Sequence, residues 1–297
     1  MSFTGVATVL LLALALLLTG VLAMQAWRLA DNRAMENSWV WLQAQAPATV
    51  EAFDPAMVEG LPDAARRYFL YTIAPGTPLH VVSEIHMSGE IGVGSKEAPG
   101  YRPMQARQIL APPHGFIWRL ERAGGGLMQM SGSDGMANGR SWTRFWLNGT
   151  LPVARAGGDD NHLRASFGRA VAEAAFWAPA ALLPPHGVRW QETGVRWEET
   201  GEPNLARAVV THGALEQSIE IAVAENGQPR WVQFQRWSDA NPEKEWRLQP
   251  FGGCLDGFQN FEGFTLPTQV EAGNHFGTEA YFPFFRVRVE EVLFPAL

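Results

Sequence analysis

Residues 161–185 read NHLRASFGRAVAEAAFWAPAALLPP. Leu163, Phe167, Val171, Ala174 and Ala178 fall at steps of three or four, and Ala175 and Leu182 extend the stripe. This spacing gives an α-helix one apolar face; Pro179 breaks the helix and Pro184-Pro185 ends it. A different periodicity lies on both sides, so this one segment decides how the flanking elements are arranged.

The flanks alternate with period two. In VVSEIHMSGEI (81–91), Val81, Ile85, Met87 and Ile91 share one parity, and Glu84, His86, Ser88 and Glu90 the other. FIWRLER (116–122), SIEIAVA (218–224) and FRVRVEE (285–291) alternate in the same way. Successive strand side chains point to opposite faces, so these are half-buried antiparallel strands. Pro112-Pro113, Gly124-Gly125-Gly126, Asn226-Gly227 and Gly252-Gly253 are turn signals between them. LPDAARRYFLYTI (61–73) predicts a short helix with Pro62 in its first turn. Helix, strands, helix, strands is an α+β order: a curved antiparallel sheet covered by a central amphipathic helix.

At the amino-terminal end, Val6 to Met24 carries no charge. Nineteen residues at about 1.5 Å each match the roughly 30 Å hydrocarbon core. Val21-Leu22-Ala23 resembles a signal-peptidase site, but no Lys or Arg precedes the apolar run, so it reads as a retained single-pass anchor. The expected organisation is an anchor over 1–26, a juxtamembrane connector over 27–60 and one α+β domain over 61–297. Trp27, Trp39 and Trp41 in the connector are candidate membrane or partner contacts, with burial against the domain as the alternative.

Composition excludes several functions. A net charge of −7 gives no sign of nucleic-acid binding, and the single Cys254 excludes an intrachain disulfide. The seven histidines form no ligand-spaced pair, so no metal and no cofactor is expected. Glu84, His86 and Glu90 on one strand face could form an acid/base group, but a solvated face has the same pattern. SGSDGMANG (131–139) lacks the first glycine of a nucleophile elbow, and Asp134 there offers a weak cation site at most. Glu173 reads as an exposed helix carboxylate, with Arg119 or Arg144 as partners if it turns inward.

LPDAARRYF (61–69), MQARQILAPPHGFIWRLER (104–122), AEAAFWAPAALLP (172–184), VRWEE (195–199) and FEGFTLPTQVEAGNHF (261–276) together resemble an uncharacterised bacterial family of membrane-anchored proteins. That family's layout is similar to the lipoprotein-carrier fold, a half-barrel sheet lidded by helices over an apolar cavity. The resemblance implies an apolar pocket, for which Phe116, Trp118, Phe167, Val171 and Trp177 are the candidate lining, and a bacterial inner-membrane location. Arg28 and Arg33 after the anchor favour a cytoplasmic domain by the positive-inside rule, and the fold analogy favours a periplasmic one.

Three functions fit these readings. The first is a non-catalytic accessory subunit docking on an integral-membrane protein complex. The second is a tethered binding protein for a lipid, acyl chain or other apolar ligand. The third is an enzyme without a recognisable motif. GVRWQETGVRWEETG (187–201) repeats a heptad. An odd shift exchanges the two faces of a strand, so the repeat reads as a local duplication forming a surface hairpin that turns at Gly194. Trp190 on it is a further candidate partner contact.

Overall fold

The computed structural model describes residues 3–126, 128–184 and 193–295. The chain begins with α1 (Phe3–Gln43), followed by a single 3-10 turn and α2 (Asp63–Thr72). Six strands come next: β1 (Ser83–Gly92), β2 (Tyr101–Ala111), β3 (Gly115–Gly125), β4 (Met128–Ala137), β5 (Arg140–Leu147) and β6 (Leu151–Gly157). Helix α3 (Asp160–Trp177) and a 3-10 turn at Pro179–Leu182 then lead to β7 (Thr193–Glu198), β8 (Leu205–His212), β9 (Leu215–Val223), β10 (Pro229–Ser238) and β11 (Arg247–Asp256). The chain closes with β12 (Gln259–Phe261), β13 (Phe264–Leu266), β14 (Gln269–Asn274) and β15 (Phe282–Leu293).

Thirteen strands form one antiparallel sheet in the order β6-β5-β4-β3-β2-β1-β15-β14-β11-β10-β9-β8-β7. Two meanders are thus joined where β15, the last strand, pairs with β1, the first. Their outer edges, β6 and β7, are connected through α3. The helix therefore crosses the concave face of a sheet curled into a half-barrel, as the α+β reading requires. Asp159 caps its first turn by accepting from the His162 backbone N–H.

The curl buries more of α3 than one stripe. From Ala165 to Ala180 no residue is exposed, because strands approach from both sides. Gly168 permits the closest approach: a Cβ there would stand 2.6 Å from Gln217 Oε1 and 3.2 Å from the Phe234 ring. Pro179 ends the α-helix as expected, and Phe167, Val171 and Ala174 point into the main core with Tyr68, Phe69 and Phe264.

A second, smaller core lies on the convex face. Met35 and Leu42 of α1 pack there on Ile109, Ile117, Ala137 and Trp142. Helix α1 does not stop near residue 26 but continues into the expected connector, and its second half lies along the sheet. This explains why Ile109 and Ile117, on the parity opposite Leu110 and Phe116, are also buried. The first half of α1 is exposed, and the helix is long and apolar enough to cross a membrane.

Gly194 lies inside β7 opposite Thr211, not at a hairpin turn. The duplicated heptad's earlier residues, Trp190 among them, fall outside the described residues.

Candidate functional site

A cavity of about 290 Å3 lies between α3 and the sheet, at the lower end of the range for small-ligand sites. Trp118 and Leu120 of β3, Met130 of β4, Phe145 of β5, Val232 and Phe234 of β10, Phe251 of β11 and Phe285 of β15 wall it. Ala172, Phe176 and Trp177 of α3 roof it. Strand parity puts these side chains there. In β10, Val232, Phe234 and Arg236 share the face turned to α3, whereas the neighbours of opposite parity turn away.

The cavity occupies one end of the concave face. Met130 pairs with Leu147 at the end of β5, and the wall residue Ile91 pairs with Phe285 near the start of β15. Both pairs adjoin the rim made by turns 93–100, 148–150 and 275–281. Helix α1 meets the sheet at this same rim. Gln25 Nε2 donates to Gly149 O at 2.9 Å and to Thr150 Oγ1 at 3.1 Å, and Arg28 Nη1 donates to Gly149 O at 3.4 Å. The apolar stretch ends one residue earlier, at Met24. Beside this junction Met128, Leu151 and Val153 are exposed by 65, 57 and 49 %, so the rim next to the apolar helix is itself apolar.

An ion network borders the cavity. Arg169 of α3 donates to Glu173 Oε1 at 2.6 Å and to Asp134 Oδ2 at 2.8 Å. Gln108 of β2 donates to the other Glu173 oxygen, and Thr143 of β5 donates to Asp134 Oδ1 at 2.7 Å. The Arg169 guanidinium stands 4.4 Å from the Phe116 ring centroid. Burial opposes its charge, but Glu173 and Asp134 more than offset this and hold its pKa above the ordinary value. Glu173 is therefore neither an exposed carboxylate nor paired with Arg119 or Arg144; its partner is Arg169, one turn earlier on its own helix. Arg236, on the same wall, stacks 5.1 Å from the Phe251 centroid and makes no hydrogen bond or ion pair among the described residues. Burial, and then the Arg169 charge, push the Arg236 guanidinium below its ordinary pKa.

The expected lining residues divide. Trp118 and Trp177 line the cavity, while Phe116, Phe167 and Val171 are buried in the core outside it. Asp134, Arg169 and Arg236 were not anticipated at a pocket. The available signal was a charged residue on the apolar parity of a strand, as Arg236 is beside Val232 and Phe234. Trp27 stays exposed, edge-on to Trp146 with ring centroids 5.5 Å apart and 4.3 Å from the Arg155 guanidinium. Trp39 donates to Glu84 Oε1 at 3.3 Å, and Trp41 sits edge-on to His114. Of the other strand-face groups, Glu84 is taken by Trp39 and Gln43, and His86 pairs with Glu291 at 3.2 Å. Among the described residues no group of three or more His, Cys, Asp or Glu is placed to hold a metal ion.

The sequence matches no curated protein. Similar solved structures include a LolA superfamily protein from Nitrosomonas europaea, at 8 % identity and a TM-score of 0.35, covering 79 % of this chain and 93 % of the other. A DUF1329 family protein from Desulfovibrio piger is similar at 12 % identity and a TM-score of 0.32, covering 82 % and 94 %. A sequence-family profile matches residues 51–287, and the chain belongs to that family, a family of unknown function designated DUF6544.

Proposed function

We propose that this chain is a single-pass membrane-anchored binding protein that holds one apolar chain in the cavity beneath α3. The observation carrying this reading is the cavity itself. Helix and sheet leave space walled by aromatic and aliphatic side chains, where a purely structural interface would be filled to crystal-like density. The position of the cavity supports the same reading. It adjoins the rim that α1 reaches as its apolar stretch ends, so an anchored domain presents this rim to the bilayer and a chain enters from there. The ion network supports binding over catalysis, because Arg169 spans both carboxylates and leaves neither as a free base.

Docking on a membrane complex has less support. Trp39 and Trp41, candidates for outside contacts or for burial against the domain, are engaged within the molecule.

The test uses the full chain in zwitterionic nanodiscs, titrated with a brominated stearate methyl ester. Bromine quenches nearby indoles, and Trp118 and Trp177 line the cavity. Saturable quenching is expected, and its loss in Ala172→Phe, whose ring fills the roof. Unsaturable quenching, equal in both proteins, overturns the proposal.

A further inference from the structure

Among the described residues, three buried side-chain polar atoms have neither a hydrogen-bond nor an ion-pair partner, Ser83 Oγ, Trp118 Nε1 and Arg236 Nε; Arg286 Nε, also without a hydrogen bond, is ion-paired with Glu271 at 2.9 Å. Two of them, on Trp118 and Arg236, belong to residues that line the cavity. Both are donors. A buried donor without an acceptor is a penalty that a folded chain rarely carries, and one of these is on a cation. Asp134 and Glu173, the carboxylates bordering the cavity, are already bound by Arg169, Thr143 and Gln108. Asp239 also acts electrostatically on Arg236 but makes no hydrogen bond or ion pair with it among the described residues.

We propose that the cavity's ligand is a single-chain amphiphile with an anionic head, received by the Arg236 guanidinium and the Trp118 indole N–H. This rests on the reading of the cavity as an apolar-chain site and adds the class of ligand. A guanidinium presents paired donors that match a carboxylate or a phosphate monoester oxygen edge, and a ligand oxygen reaching Trp118 satisfies the second donor. The chain then lies against Leu120, Phe176 and Val232. A cavity of about 290 Å3 suits a single chain better than two side by side.

The experiment compares brominated stearate with its methyl ester on the full chain in nanodiscs, at a pH where the carboxyl is ionised, with empty nanodiscs as the partition control. The acid is expected to saturate at about tenfold lower concentration than the ester, the ratio given by one charge-assisted hydrogen bond. In Arg236→Gln the ratio should collapse towards one, and Arg236→Lys should keep part of it. Equal saturation by acid and ester in the unmodified chain overturns the anionic head and leaves the apolar-chain reading standing. Saturation by neither overturns the apolar-chain reading itself. An undiminished ratio in Arg236→Gln overturns the assignment of the head to Arg236.

Discussion

Asp31 on α1 accepts from both terminal nitrogens of Arg155 on β6, at 2.6 and 3.0 Å. Trp146 Nε1 donates to the same carboxylate at 3.2 Å, and Arg144 stands 3.7 Å away. Burial pushes the Arg144 guanidinium below its ordinary pKa, and Asp31 opposes that shift. One carboxylate thus fixes the long helix to the convex face. Asp31→Ala leaves two half-buried arginines without a counter-charge. The expected cost is about 2 kcal/mol, between the values for breaking a buried pair and an exposed one. Thermal unfolding of the reconstituted chain measures it, and an unchanged midpoint would show that the helix is held by its other contacts, the Met35 and Leu42 packing and the bonds from Gln25, Arg28, Trp39 and Gln43.

Glu173 and Arg169 make the corresponding contact on the concave face, 2.6 Å apart with both side chains largely buried. Glu173→Ala strands the Arg169 Nε donor and the Gln108 amide. A loss of about 3 kcal/mol is expected, larger than for Asp31 because water reaches this site less. Urea unfolding of Glu173→Ala beside Asp31→Ala ranks the two, and the reverse order would contradict the burial argument.

His114 sets a pH dependence. Burial, with a smaller push from His212, holds its pKa below the ordinary histidine value. The folded chain keeps this ring neutral, while the unfolded chain protonates it below about pH 6.5. Over the window from the depressed pKa up to about 6.5 the unfolded state binds more protons, so stability rises with pH there and is level above. Acidification from about pH 7.5 to about 5.5 should destabilise the protein, and less so in His114→Phe, which retains a ring against Trp41. Parallel melts at the two pH values decide it; equal losses would assign the effect to other groups.

Gly227 separates strain from contact. Its φ is +87°, and a Cβ there would overlap the Arg67 carbonyl oxygen of α2. Gly213 has φ +56° with nothing within 4 Å of a Cβ. Gly213→Ala should cost about 1–2 kcal/mol from the left-handed backbone alone. Gly227→Ala should cost more, because the obstructing atom is backbone and α2 must move. Equal unfolding midpoints for the two variants would mean that the turn relaxes away from α2.

Legibility followed how many faces a segment buries. Strands β1, β9 and β15 bury one parity, and their alternation was readable from residues such as Ile85, Ile219 and Val287. Helix α3 was readable from Phe167 and Val171. The docking of α1 was harder, because Arg28, Asp31, Arg33 and Glu36 end the apolar run and suggest a solvated connector. Yet Asp31, Met35, Trp39 and Leu42 recur at steps of four, four and three, which is a helix stripe with its one carboxylate pointing inward. The Arg169–Glu173 pair was likewise an i, i+4 spacing in plain sight. The cavity was not legible beyond Trp118 and Trp177. Whether an apolar side chain borders space or another side chain depends on the curvature of the sheet, and parity does not encode that.

The rim carrying Leu151 should touch the bilayer. Leu151 follows the turn that Gln25 and Arg28 grip, and it is exposed beside the end of the apolar helix. Strand β5 is eight residues long, so the opposite rim at Gly139 lies roughly 25 Å away. Cys254 is the only cysteine and is exposed, so Cys254→Ser supplies a clean background for single spin labels. A nitroxide at Leu151→Cys is expected at headgroup depth in nanodiscs, relaxed more by oxygen dissolved in lipid than by a water-soluble nickel chelate. The same label at Gly139→Cys should show the opposite preference. If both labels report water, the domain stands clear of the membrane, and direct entry of a chain from the bilayer into the cavity fails with it.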